Sequence, residues 1–195
     1  MITTINLVGY RYTKEQILEG ALSAALEGGV SQLTFGRLAK QLGISDRVIV
    51  YYFPSKDDLV SEVLMALGSE LQRALAPIFV RKVSDHAQML RTAWPIVARD
   101  DLARTFALFF EASGLAASGS EPYRTLVPRL VEGWIEWAAS FIDGAASHRR
   151  REAAATIAVL DGLLLLRQLA GADAADLAAK ALVARRTPAK DVGRF

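Results

Sequence analysis

Apolar residues recur at three- and four-residue spacing along almost the whole chain, and each periodic stretch closes on a turn-forming residue, with no hairpin signal between alternating β-branched runs. Such a chain buries one stripe per helix, so the pattern predicts an all-α fold of about nine helices. Thr13 is placed to cap KEQILEGALSAALEGG, in which Ile17, Ala21, Leu22, Ala25 and Leu26 share a face and Gly28-Gly29 ends the helix. Thr34 caps a short second helix, FGRLAKQL, which Gly43 stops; Ser45 caps a third, DRVIVYYF, which Pro54 interrupts. Ser55 and Asp58 resemble a capping box for a long fourth helix running to about Val80.

Further helices are expected over 85–98, 101–117, 121–144, 149–170 and 173–185, with breaks at Pro77, Ser118 to Pro122, Gly144 to Ser147 and Gly171. Pro95 and Pro128 fall inside periodic stretches and are expected to kink or split their helices. The tail, 187–195, has no periodicity and is expected to be flexible. The absence of cysteine excludes disulfides, thiolate nucleophiles and zinc-thiolate sites, and fits the cytoplasm. The start, MITTINLVGYRYTKEQ, does not read as a signal peptide, and the greasiest run, Ile157 to Leu166, is short for a bilayer and is broken by Asp161, so no membrane partner is expected.

The informative segment is TFGRLAKQLGISDRVIVYYFPSKDDL, Thr34 to Leu59: two short capped helices around a Gly-Ile-Ser turn, the sequence form of a helix-turn-helix. Ala39 is small where the helices must approach, Gly43 suits a left-handed stop, Ile44 and Ile49 fill the wedge, and Ser45 leaves the next helix's amides facing outward. Followed by Phe53-Pro54-Ser55-Lys56-Asp57-Asp58-Leu59, this block resembles the DNA-binding domain of the TetR (tetracycline-repressor-like) family of one-component bacterial regulators. The likeness covers roughly Thr13 to Leu71; beyond that it extends to length, helical character and Asp161-Gly162-Leu163-Leu164.

The resemblance implies a DNA-binding set of Thr34, Arg37, Ser45, Asp46, Arg47, Val48, Tyr51, Tyr52 and Lys56. Lys56 and Tyr52 match positions that contact the DNA backbone in the family, and Asp46, Arg47 and Val48 match positions that face bases. Arg47 suits guanine O6/N7, Asp46 suits cytosine N4 or Arg47 itself, and Val48 suits a thymine methyl. Val50 stands where family members often have tyrosine, which removes one expected phosphate contact. The net charge of +2 belongs to the same segment: from Arg11 to Lys56 six basic side chains face four acidic ones, and the remainder is neutral.

These readings divide the chain into a helix-turn-helix head, 11–56, a ligand-binding and dimerisation domain, 57–186, and the tail. A hydrophobic fraction of 52% exceeds what an ordinary core explains. Met89, Trp94, Phe106, Phe109, Phe110, Ser113, Leu130, Trp134 and Trp137 resemble the cavity-lining half of the family, which implies a mainly hydrophobic or aromatic small-molecule effector, with Glu111 or Ser113 as polar anchors. The Leu163 to Leu166 run makes a helix apolar on all sides, and in the family the last two helices pair with their symmetry mates, which implies a homodimer through Ile157, Leu160, Leu164, Leu165, Leu177 and Ala181.

The resemblance implies a transcriptional regulator that binds a pseudo-palindromic double-stranded operator and is released by its effector, with repression as the family's habit. An enzyme is not expected: no phosphate loop or metal-ligand spacing occurs, His86 and His148 read as separate surface residues, and no cofactor or metal is implied. The alternative is a helical protein-protein adaptor with weak or lost DNA binding, which Val50 and Asp46 favour.

Overall fold

The computed structural model describes residues 12–184, and its regular structure there consists of nine α-helices and three 3-10 turns, with one isolated parallel bridge between Val83 and Ile142. Helix α1 (Lys14–Gly28) opens with a reciprocal capping box, Thr13 Oγ1 accepting from Gln16 N and the Gln16 side chain accepting from Thr13 N. It ends at Gly29, whose φ of +86° turns the chain into the 3-10 turn Val30–Gln32. Helices α2 (Phe35–Leu42) and α3 (Asp46–Tyr52) follow, capped as expected by Thr34 and Ser45 and separated by Gly43 in the left-handed conformation.

Helix α4 (Lys56–Leu75) stops short of the expected Val80. Pro77 lacks the N–H that would continue the ladder, and Ala76–Ile78 tightens into a 3-10 turn. Helices α5 (His86–Val97), α6 (Ala103–Ala117) and α7 (Tyr123–Ala139) come next; Pro95 and Pro128 lie within α5 and α7 without splitting them. The last two are α8 (Ala146–Ala170) and α9 (Ala172–Ala184), and the expected tail, 187–195, lies outside the described residues.

Helix α8 is long and apolar enough to cross a membrane by length and composition, with a mean hydropathy of 1.5 over its best window. This is more than the short run around Asp161 suggested, although core helices of soluble proteins meet the same criterion.

Two compact units form. Among the described residues, one comprises 12–73 together with 104–130; the other comprises 74–103 and 131–184. In the first, Ile17, Leu38, Ile49, Phe53, Leu59, Val60 and Val63 are fully buried. Here α2 and α3 are locked by the Ile49 side chain and by Phe53, over whose ring the Lys14 ammonium sits at 5.3 Å.

In the second unit α5 packs on α8 and α9. One cluster joins Val83, Met89, Ala138, Ile142 and Ala153; another joins Leu90, Leu163 and Ala179. Val83 exchanges two 2.9 Å backbone hydrogen bonds with the segment after α7, donating to Phe141 and accepting from Asp143.

Candidate functional site

The helix-turn-helix is built by local hydrogen bonding. Thr34 Oγ1 accepts from Arg37 N at 3.3 Å and starts α2; the Gly43 N–H returns to α2 carbonyls and Ile44 N donates to Ala39 O at 3.0 Å. Ser45 Oγ accepts from Arg47 N at 3.3 Å, which leaves the first turn of α3 turned outward with Asp46 complementing its dipole. Asp46 and Arg47 are exposed, Val48 is half-buried, and Arg47 has no acidic partner among the described residues. A planar guanidinium held at a capped helix start without an ion pair is free to meet a guanine edge or a phosphate.

The two tyrosines differ. Tyr51 is 77% exposed, and its ring meets that of Tyr52 edge-on at 5.0 Å. The Tyr52 hydroxyl donates to Tyr12 O at 3.2 Å, and the Tyr12 hydroxyl donates to Leu42 O at 2.9 Å. The single Tyr52 proton is therefore directed into the head rather than toward solvent. Lys56 is exposed at the start of α4, where Ser55 and Asp58 form the expected capping box, with Asp58 N to Ser55 Oγ and Ser55 N to Asp58 Oδ2 both 3.1 Å. Its ammonium donates to Ser31 O at 3.5 Å. Arg37 donates to the carbonyl and the side-chain oxygen of Gln32.

Glu111, expected to anchor an effector, is committed elsewhere. From α6 it accepts from Val30 N and Ser31 N, both at 2.9 Å, and from the Ser31 hydroxyl. Partial burial opposes its ionisation, but the Ser31 hydroxyl and the two amides outweigh that and hold the carboxyl below the usual range. Ser113 donates to Phe109 O at 2.8 Å, an ordinary helical back-bond. A partner 80 residues away leaves no signature in local spacing, so sequence reasoning had no means of finding the Glu111 contact.

The aromatic set falls into two groups. Phe106 is buried and Phe109, Phe110 and Leu130 are half-buried in the first unit, with Phe109 and Phe110 5.6 Å apart. In the second unit Met89 is buried in the core, and Trp137 packs with Trp134 at 5.1 Å and Phe141 at 4.9 Å. Phe79, which the sequence reading passed over, stacks on Phe141 at 4.9 Å and completes this aromatic cluster. Trp94 lines a groove of about 470 Å³ between α5, α8 and α9 with Leu90, Pro95 and Val183, and its indole N–H donates to Asp176 at 2.9 Å. Arg91, Arg99, Arg167 and Lys180 also line this groove.

Of the residues expected at a dimer interface, Leu164 is buried within its own chain and Ile157 and Leu160 are half-buried, Leu160 against α5 and α9. Leu165, Leu177 and Ala181 are exposed, as is Leu169. His86 and His148, far apart in sequence, both approach the buried Glu152. His86 Nδ1 lies 2.6 Å from its carboxylate and His148 Nδ1 lies 3.9 Å away, and His86 N also donates to it. No cluster suited to a metal occurs among the described residues.

Residues 17–63 match the family model described as bacterial regulatory proteins, tetR family. The HTH-type transcriptional regulator BetI of Serratia proteamaculans (strain 568) is 28% identical over 78 residues, which span 40% of this chain and 39% of that one. A TetR transcriptional regulator from Legionella pneumophila superposes with a TM-score of 0.66 at 18% identity, covering 88% of this chain and 96% of the other. The multidrug binding protein EbrR, solved with proflavin, gives 0.65 at 21% identity, covering 88% and 97%. These superpositions show the fold, and the matched residues 17–63 belong to the tetR family.

Proposed function

We propose that this chain, whose residues 17–63 are a tetR-family head, is a one-component transcriptional regulator that represses by binding double-stranded DNA as a homodimer in the cytoplasm. The carrying observation is the Ser45-capped start of α3, where Arg47 stands exposed with no ion pair among the described residues. Arg47 reads bases, with Asp46 and Val48 beside it, and Lys56, Arg37 and the amides near Thr34 and Ser45 engage phosphates. Two such heads in a dimer reach half-sites about one helical turn, roughly 34 Å, apart. The exposed Leu165, Leu177 and Ala181 supply the dimer face.

The effector is a mainly hydrophobic or aromatic small molecule. The half-buried cluster of Trp134, Trp137, Phe141 and Phe79 supports this, as does the likeness to EbrR, which was solved with proflavin. For release, the effector binds the DNA-free arrangement better than the DNA-bound one, since equal affinity shifts nothing. Titration of tryptophan fluorescence with aromatic ligands tests this part.

Mobility-shift and footprinting assays on DNA flanking the protein's own gene test the central claim. Arg47→Ala is expected to relax base preference at a cost of about 1–3 kcal/mol, and Lys56→Ala to weaken all sequences and flatten the salt dependence. A protein that binds neither flanking DNA nor random duplex at low salt overturns the regulator reading and leaves the adaptor alternative standing.

A further inference from the structure

The turn that follows α1 is a receptor for one carboxylate. Val30 N, Ser31 N and the Ser31 hydroxyl all donate to Glu111, and the space is open because residue 29 is glycine. A Cβ on Gly29 would stand 2.6 Å from Glu111 Oε2, and its φ of +86° already disfavours any other residue. Two cations lie against the carbonyl side of the same turn: Lys56 donates to Ser31 O and Arg37 to Gln32 O, both long contacts of 3.5 Å, and Arg37 also donates to the Gln32 side-chain oxygen. Neither cation has an acidic partner among the described residues. One carboxylate on α6 thus holds Val30 and Ser31, and Ser31 and the adjoining Gln32 meet side chains from the starts of α4 and α2.

Resting on the DNA-binding reading, we propose that Glu111 is a positioning residue for DNA binding: it orders the Val30–Gln32 turn so that Lys56 and Arg37 are pre-oriented for phosphates. An ammonium has three donors, so the contact with Ser31 O leaves two for phosphate oxygens. Restricting a long cationic side chain beforehand removes an ordering cost that binding would otherwise bear.

Positioning by Glu111 and simple electrostatics act on DNA affinity with opposite signs. Removing a negative charge from a DNA-binding protein strengthens attraction to the polyanion, whereas removing a positioning carboxylate weakens it.

The test is binding of the full chain to random-sequence duplex DNA over a potassium chloride series, with thermal unfolding of every variant. Glu111→Ala is expected to weaken binding about fivefold and to lower the salt slope by about one per protomer, as Lys56→Ala does. Against a Lys56→Ala background, Glu111→Ala is expected to weaken binding by clearly less than the roughly fivefold it costs in the wild-type chain, the Arg37 share alone remaining, a non-additivity that general destabilisation does not produce. Glu111→Gln, whose amide oxygen still accepts from one donor, falls between. Where Glu111→Ala does not fold, Ser31→Ala removes one donor only and is expected to shift binding in the same direction by a smaller factor. Unchanged or tighter binding by the folded Glu111 or Ser31 variants, with Lys56→Ala weakened, overturns the proposal. A wild-type chain with no salt-dependent binding overturns the DNA reading itself.

Discussion

The pKa values of two carboxylates on α8 are displaced in opposite directions because their surroundings differ. Asp161 is partly buried, and desolvation alone pushes it up to about 6 from 3.8; among the described residues no ion pair or hydrogen bond answers its charge. A folded-state value above the unfolded one means that the native chain favours the protonated form. The Asp161 contribution is therefore most favourable below pH 4 and is lost as the pH rises through 6, reaching an unfavourable term of about 2–3 kcal/mol at neutrality. Asp161→Asn is expected to raise unfolding stability by about 2 kcal/mol near pH 7.5 and by almost nothing near pH 4, measured by urea denaturation at both values.

Glu152 lies on the other side of the balance. The His86 side-chain hydrogen bond is the largest influence; it outweighs burial and, with the His86 amide, holds the carboxyl below its usual range. The stability that Glu152 supplies is present above its unfolded value of 4.5 and disappears as the pH falls through the folded value.

Elements are joined by such residues. Glu152 on α8 satisfies the first backbone N–H of α5 at 3.1 Å, so it acts as a cap supplied from another helix. Glu152→Gln keeps one acceptor but loses the charge, and is expected to cost about 1–3 kcal/mol and to accelerate amide exchange at the start of α5. Glu132→Gln, which breaks a solvent-exposed pair with Arg150, is expected to change stability little in the same experiment.

The contrast between these contacts marks what a sequence can disclose. Thr13, Thr34, Gly43, Ser45 and the Ser55–Asp58 box act within three or four residues, so their spacing alone predicted the starts of α1 to α4 and the stop of α2. Glu152 with His86, Trp94 with Asp176 and Glu111 with Ser31 are 66, 82 and 80 residues apart, and no periodicity encodes which helix meets which. The stripe of leucines on α8 was legible as a surplus, but not the division that buries Leu164 and exposes Leu165.

At the scale of the molecule, that division leaves apolar surface in need of a cover. Leu165 is 40% exposed, Leu169 78% and Leu177 72%, and Gly162, between Ala158 and Leu165 on the outer face of α8, has nothing within 4 Å of where a Cβ would stand. Helices packing through small residues approach closely, so a two-fold partner laid along this face would bury the leucines of both copies. Transferring three such side chains per protomer out of water is worth roughly 10 kcal/mol in total before association costs, enough for a stable dimer when those costs are moderate. Light scattering at micromolar concentration is expected to give twice the 21.2 kDa chain mass. Leu169→Glu combined with Leu177→Glu places like charges across the two-fold and is expected to give a monomer with unchanged helical circular dichroism, because neither side chain supports its own fold. That monomer keeps one recognition helix, so its operator affinity falls by about 100-fold or more while its weak binding to random duplex survives. A wild-type chain that is already monomeric, or a double variant that remains dimeric, rules out this face as the interface.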